Sequence, residues 1–213
     1  MSRIGSVDAG GLVLQATQAD ALARIQGDLL LSSSLWANVA LAGLSILVFV
    51  YMGRNVSAGR ARLVWGATLM IPLVSLASYL ALASGLTVGF VEMPAGHALA
   101  GQEVVSQWGR YLTWTLSTPL ILLALGLLAD VDRGSLFTVL AADVGMCVTG
   151  LAAALITSSY LFRWAFYLVS CAFFAVVLYA LLTEWATAAA EAGTGEIFDT
   201  LRVLTVVLWL GYP

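Results

Sequence analysis

The sequence predicts an all-α integral membrane protein, and three observations carry that reading. Hydrophobic residues make up 61% of the 213 and charged residues 10%, against roughly 45–50% and roughly 25% in soluble domains. Mean hydropathy is +0.97, and a soluble globule needs more polar surface than this chain supplies. The charges also fall between long uncharged windows, each near the roughly 20 residues a helix needs to cross a ~30 Å hydrocarbon core. Helices are the expected element because lipid offers no partner to an unpaired backbone N–H or C=O. Soluble enzymes, nucleic-acid binders and disordered proteins fit this composition poorly.

Residues 1–28 hold Arg3 but no continuous apolar core before Leu29. They do not fit the usual signal peptide and are read as an extracellular N-terminal segment. The bundle then occupies 29–213. Leu29–Gly53 is uncharged and predicts a first span at 29–53. Leu63–Val91 predicts a second near 63–86, and Tyr111–Ala129 a third near 107–129. Gly134–Phe162, interrupted only by Asp143, predicts a fourth near 135–157. Trp164–Thr183 predicts a fifth near 163–185, and a sixth covers 197–213. The last run stops at Pro213 without a polar exit, so the sequence is expected to be part of a longer protein.

The connections Arg54–Arg62, Asp130–Gly134, Thr157–Arg163 and Ala186–Glu196 are short, which implies an antiparallel bundle in sequential order. The longest, Thr87–Ser106, carries Pro94 and His97. Its alternation around Thr87–Met93 is that of a short hairpin lying over the membrane surface. Arg54, Arg60, Arg62, Arg133 and Arg202 fall on one side, and Arg24 and Arg163 on the other. The positive-inside rule makes the first side cytoplasmic and the N-terminus extracellular.

All nine basic residues are Arg, twelve acids give a net charge of −3, and there is no Lys. Such an acidic, Lys-free surface suits a cell with high internal salt. No basic stripe exists to hold nucleic acid. Cys147 and Cys171 lie inside apolar runs and are read as buried small hydrophobes, without a disulfide or a metal.

The third span opens Gln107-Trp108-Gly109-Arg110-Tyr111-Leu112-Thr113-Trp114-Thr115-Leu116-Ser117-Thr118-Pro119. Arg110, Thr113, Trp114, Ser117 and Thr118 sit at i, i+3, i+4, i+7 and i+8, on one helix face. An Arg in a membrane helix is costly unless it meets a wet or polar interior. Two readings fit the spacing: the stripe faces a charged occupant, or Arg110 snorkels while the others pack. No carboxylate occurs between Asp28 and Glu92 or between Glu103 and Asp130. A proton relay along this face would want one, whereas a lone Arg beside hydroxyl donors favours an anion. Asp143 is read as a relay member or an interhelical contact, with the contact favoured, His97 as a loop residue, and Arg202 as either a gate or a positive-inside anchor.

Arg110–Pro119 resembles the third-helix signature of microbial rhodopsins. With Thr113, Ser117 and Ala124, it resembles the halorhodopsins, light-driven chloride pumps of haloarchaea. Glu92–His97, Leu120–Asp132, Asp143–Gly150 and Thr200–Pro213 extend the resemblance over nearly the whole chain. It implies a seven-helix bundle around all-trans retinal, held as a protonated Schiff base by a Lys on the seventh helix. Helices one to five and most of helix six lie within these residues. No Lys does, so no residue of this chain can form that link.

The resemblance implies chloride binding by Arg110, Thr113, Trp114 and Ser117, an extracellular path through Gln107, and a cytoplasmic path through Arg202 and Thr205. It places Trp114, Thr118, Met146, Gly150, Tyr167, Ser170, Trp209 and Tyr212 around retinal. It also implies a multi-pass protein of the cell membrane that moves chloride and other halides inward and is not an enzyme. Homotrimers are common among the relatives. The alternative is a sensory rhodopsin coupled to a membrane transducer. Sensory members usually keep an Asp where this chain has Thr113, which favours the pump.

Overall fold

A computed structural model describes residues 9–211, with side chains from Gln18 onward. In order, the elements are α1 (Ala9–Gly27), α2 (Leu29–Gly53), α3 (Gly59–Ala83), β1 (Gly89–Glu92), β2 (Glu103–Ser106), α4 (Gly109–Ala129), α5 (Arg133–Leu155), α6 (Tyr160–Tyr179), α7 (Trp185–Glu191) and α8 (Gly195–Leu210). A π-helical turn, Ala180–Glu184, joins α6 to α7. Five helices are long and apolar enough to cross a membrane: α2, α3, α4, α5 and the continuous helix Tyr160–Glu191.

The helix starts follow from side chains that satisfy free N–H groups. The Asp28 carboxylate accepts the Leu31 N–H at 3.0 Å and starts α2. Asp132 accepts from Gly134 and Ser135 at 2.8 and 3.0 Å and starts α5. Ser159 accepts from Phe162 at 3.4 Å and starts α6. At the other end of α4, Asp130 turns left-handed with φ 58°, and the Val131 N–H returns to the Gly126 carbonyl at 3.2 Å.

Consecutive helices α2 to α6 pack as neighbours, and α7 and α8 lie against α4. One core, built on Leu122, Leu125, Val177, Leu181, Trp185 and Phe198, joins α4 to α5, α6, α7 and α8. Trp185 is fully buried and donates its indole N–H to the Ser135 hydroxyl at 2.9 Å. A second core joins Ala21 and Ile25 of α1 to Leu35, Leu82 and Val88. Gly53 lets α2 and α3 close up: a Cβ there would fall 1.8 Å from the Trp65 indole nitrogen, which donates to the Phe49 carbonyl at 2.8 Å.

Five details depart from the sequence reading. First, residues 9–27 form a helix, with Ala21 and Ile25 buried, where the sequence reading expected only an N-terminal segment. Second, the helix expected at 163–185 runs from Tyr160 to Glu191. Ser159 caps it upstream, and the Ala-rich 186–190 stretch extends it, because Ala has the highest helix propensity. Third, the second span begins at Gly59, so Arg60 and Arg62 lie in its first turn. Fourth, Gln107 precedes α4, which begins at Gly109. Fifth, Cys171 is exposed on α6, whereas Cys147 is buried; both are free thiols. The hairpin over the surface does form: β1 pairs antiparallel with β2, Gly89 opposite Ser106 and Glu92 opposite Glu103.

Candidate functional site

The α4 stripe points inward. Thr113, Ser117 and Thr118 are 6, 6 and 8% exposed, and Arg110 and Trp114 are partly buried. The Thr113 hydroxyl donates to the Gly109 carbonyl at 3.0 Å and is paired with the Ser78 hydroxyl of α3. With the Thr113 proton on that carbonyl, Ser78 is the donor to the Thr113 oxygen, and its own oxygen lies 3.4 Å from the same carbonyl. Ser78 is the residue of this cluster that sequence reading misses. A single hydroxyl in an apolar helix usually bonds to its own backbone, and only packing of α3 on α4 aims this one at Thr113.

Arg110 and Gln107 stand at the hairpin end of the stripe. The Arg110 Nε and the Gln107 Oε1 are buried and without a hydrogen-bond partner among the described residues. The described ion pairs are Arg60–Asp130 and Arg202–Asp199, so Arg110 has no carboxylate as counter-charge among the described residues. A buried cation in that position needs a compensating anion.

One turn deeper, the single Thr118 O–H has two acceptors within reach, Asp143 Oδ2 of α5 at 2.7 Å and the Trp114 carbonyl at 2.7 Å. Cys147 Sγ lies 3.8 Å from it. Asp143 is 0% exposed, and the interhelical contact read from the sequence is what forms. Removing Thr118 would strand the buried carboxyl, whose other oxygen already lacks a partner among the described residues. Thr118→Val is therefore expected to cost about 1–3 kcal/mol, roughly 2–12 °C in melting temperature for a protein of this size. Circular dichroism melts of the solubilised protein check this, and an unchanged midpoint would refute it.

Several of the residues assigned to the retinal pocket come together. The Ser170 hydroxyl of α6 donates to the Met146 carbonyl of α5 at 2.8 Å. A Cβ at Gly150 would lie 3.2 Å from the Tyr111 ring and 3.4 Å from Ser170 Oγ. Tyr111 in turn meets Trp114 edge to face, with ring centroids 5.0 Å apart. Met146, Gly150, Ser170 and Trp114 thus share one neighbourhood with Tyr111, an aromatic for which spacing left open a cavity-lining or an interface position. Trp209 of α8 lies against the α4 core and 6.5 Å from Phe174. Tyr167 is not drawn in: it pairs edge-on with Trp164 at 5.5 Å and stays 41% exposed. Tyr212 lies outside the described residues.

Arg202 and Thr205 of α8 stand at the opposite end. Arg202 pairs with Asp199 at 3.0 Å and donates to the Leu182 carbonyl of the π-helical turn at 3.4 Å. The Thr205 hydroxyl donates to the Leu201 carbonyl at 2.8 Å. The two arginines therefore differ: Arg202 has a carboxylate beside it and Arg110 does not.

A model of the bacteriorhodopsin-like protein family matches residues 29–213. Halorhodopsin of Halobacterium salinarum is 74% identical over 209 residues, which span 98% of this chain and 74% of that protein. A solved structure described as halorhodopsin, a light-driven chloride pump, superposes with a TM-score of 0.85 at 78% identity, covering 87% of this chain and 78% of its own. A bromide-bound halorhodopsin from Halobacterium salinarum superposes with a TM-score of 0.86 at 77% identity, covering 90% and 79%.

Proposed function

The chain belongs to the bacteriorhodopsin-like protein family, and from that membership we propose that it serves as a light-driven chloride pump that uses retinal and moves chloride and other halides inward across the cell membrane. The observation that carries this reading is the α4 stripe: a part-buried Arg110 with neutral hydroxyls beside it and no carboxylate of the described chain to balance it. A proton pump would keep a carboxylate on that face as acceptor. The same neutral Thr113 speaks against a sensory role.

The Tyr111 and Ser170 side chains meet at the bare face of Gly150, where a Cβ would be crowded to 3.2 Å, and Trp114 stands edge to face with Tyr111. Trp114, Thr118, Met146, Gly150, Ser170, Trp209 and Tyr212 are the residues proposed to hold the polyene, without Tyr167, which stays 41% exposed beside Trp164. No residue of the 213 is a Lys, so these residues supply walls and not the covalent attachment. When bound, retinal supplies the light-driven isomerisation that powers transport.

The chain's own residues bind and steer the anion. Arg110 provides fixed positive charge, and Ser117 and Thr113, the latter by turning its proton from the Gly109 carbonyl, give the ion hydrogen bonds stronger than neutral ones. Ser78 holds the Thr113 hydroxyl in place. Gln107 with Arg110 forms the extracellular path. Arg202 and Thr205 form the cytoplasmic path, where Asp199 already offsets the Arg202 charge and weakens its hold on a departing anion. The N-terminus then lies outside, with Arg54, Arg60, Arg62, Arg133 and Arg202 toward the cytoplasm.

Expression of the complete reading frame with added all-trans retinal tests this. The expected results are a visible absorption band that shifts as chloride is titrated and light-driven chloride uptake by vesicles oriented as in the cell. A band indifferent to chloride, or illumination that moves only protons, would overturn the reading.

A further inference from the structure

Five buried side-chain polar atoms lack a hydrogen-bond partner among the described residues, and three of them belong to Thr87, Gln107 and Arg110. The backbone gathers these three residues where the hairpin runs into α4. Thr87 lies just before β1 and Gln107 just after β2, and the Thr87 carbonyl accepts the Gly109 N–H at 3.1 Å. Thr87 is 9% exposed. Its Oγ1 presses on the first residue of α4, so closely that a Cβ at Gly109 would fall 2.3 Å from it. The absent side chain at Gly109 is what admits the hydroxyl.

A buried hydroxyl without a partner is unfavourable, and the α4 amides do not relieve it. Gly109 N–H is taken by Thr87 itself, Arg110 N–H by the Gln107 carbonyl at 3.0 Å, and Tyr111 N–H by the Trp108 carbonyl at 3.1 Å. The three side chains have one chemistry in common. The Thr87 O–H and the Arg110 Nε–H are donors, and the Gln107 amide becomes one when it turns over, since its O and N positions are interchangeable in shape. Unpartnered donors gathered at one helix end, with one fixed positive charge among them, suit a small monovalent anion.

We propose that Thr87 is a halide-binding residue of the hairpin end, donating its hydroxyl to the anion that Arg110 and Gln107 hold before it reaches Thr113 and Ser117. This rests on the chloride-pump reading and adds a residue to it. Thr87→Val removes the hydroxyl at nearly constant volume, and Thr87→Ser retains it.

The experiment is a chloride titration of the visible band in the retinal-loaded product of the complete reading frame, with halide-jump kinetics alongside. Thr87→Val is expected to bind chloride about tenfold more weakly, the size of one hydrogen bond to an ion, and to take it up more slowly. Thr87→Ser is expected to restore both, with melting temperatures in chloride-free buffer equal to the wild type throughout. If Thr87→Val yields no pigment, Thr87→Cys, a poor donor of similar size, replaces it in the comparison with Ser. Wild-type chloride affinity in the donor-less variant overturns the assignment and leaves water as what the hydroxyl meets. A wild type that ignores chloride overturns the underlying reading as well, so the two failures are told apart.

Discussion

Thr113→Asp in the retinal-loaded product of the complete reading frame is expected to weaken chloride binding by more than about 100-fold and to turn light-driven transport toward protons. Thr113 is 6% exposed and sits on the Arg110 face, its hydroxyl bonded to the Gly109 carbonyl. A carboxylate there supplies from the chain the negative charge that a bound anion supplies otherwise. Two like charges about 4 Å apart repel by about 4 kcal/mol at an effective dielectric near 20. That amounts to nearly three powers of ten in affinity, so even a partly relaxed geometry leaves a large loss. The carboxylate is also a proton acceptor where the wild type has none. Chloride titration of the visible band and a pH electrode in illuminated vesicles read the two effects. Unchanged chloride affinity would remove Thr113 from the anion's surroundings.

The α4 face was legible because five polar side chains at helical spacing stand out in an apolar span. Burial of Thr113, Ser117 and Thr118 follows directly from that pattern. Helix ends were less legible, since charge alone puts a boundary at Arg163. In the structure Arg163 lies inside α6 and reaches back to the Ile156 carbonyl at 3.2 Å. A long side chain can do this while its helix continues past it. The strand β2 has only four residues, Glu103–Ser106, and acquires its form from pairing with β1. Ser78 and Tyr111 lie outside the polar stripe, and their roles arise only when α3 and α5 close on α4. Tyr167 shows the converse limit: aromatic spacing along α6 does not say which rings face inward.

Arg110→Gln separates the two readings that spacing leaves open for this residue. An arginine that only snorkels ends in water or headgroups, and losing its charge there costs little. The structure places Arg110 differently, with its Nε buried and unpartnered and no ion pair to a described carboxylate. Its charge is then available to an anion inside the bundle, and the loss removes both a charge-assisted hydrogen bond and the local positive potential. Chloride affinity in the retinal-loaded protein is expected to fall about 100-fold, combining about 1.5–3 kcal/mol for the hydrogen bond with the lost Coulomb attraction. Arg110→Lys should recover part of this, because it restores the charge without the guanidinium fork. A measured affinity for Arg110→Gln within about twofold of wild type would return Arg110 to the snorkelling role. If both substitutions bind equally weakly, the geometry of the guanidinium group, more than its charge, sets the site. The intermediate result, with Lys between Arg and Gln, is the one expected of a cation whose partner is a mobile ion and not a fixed carboxylate.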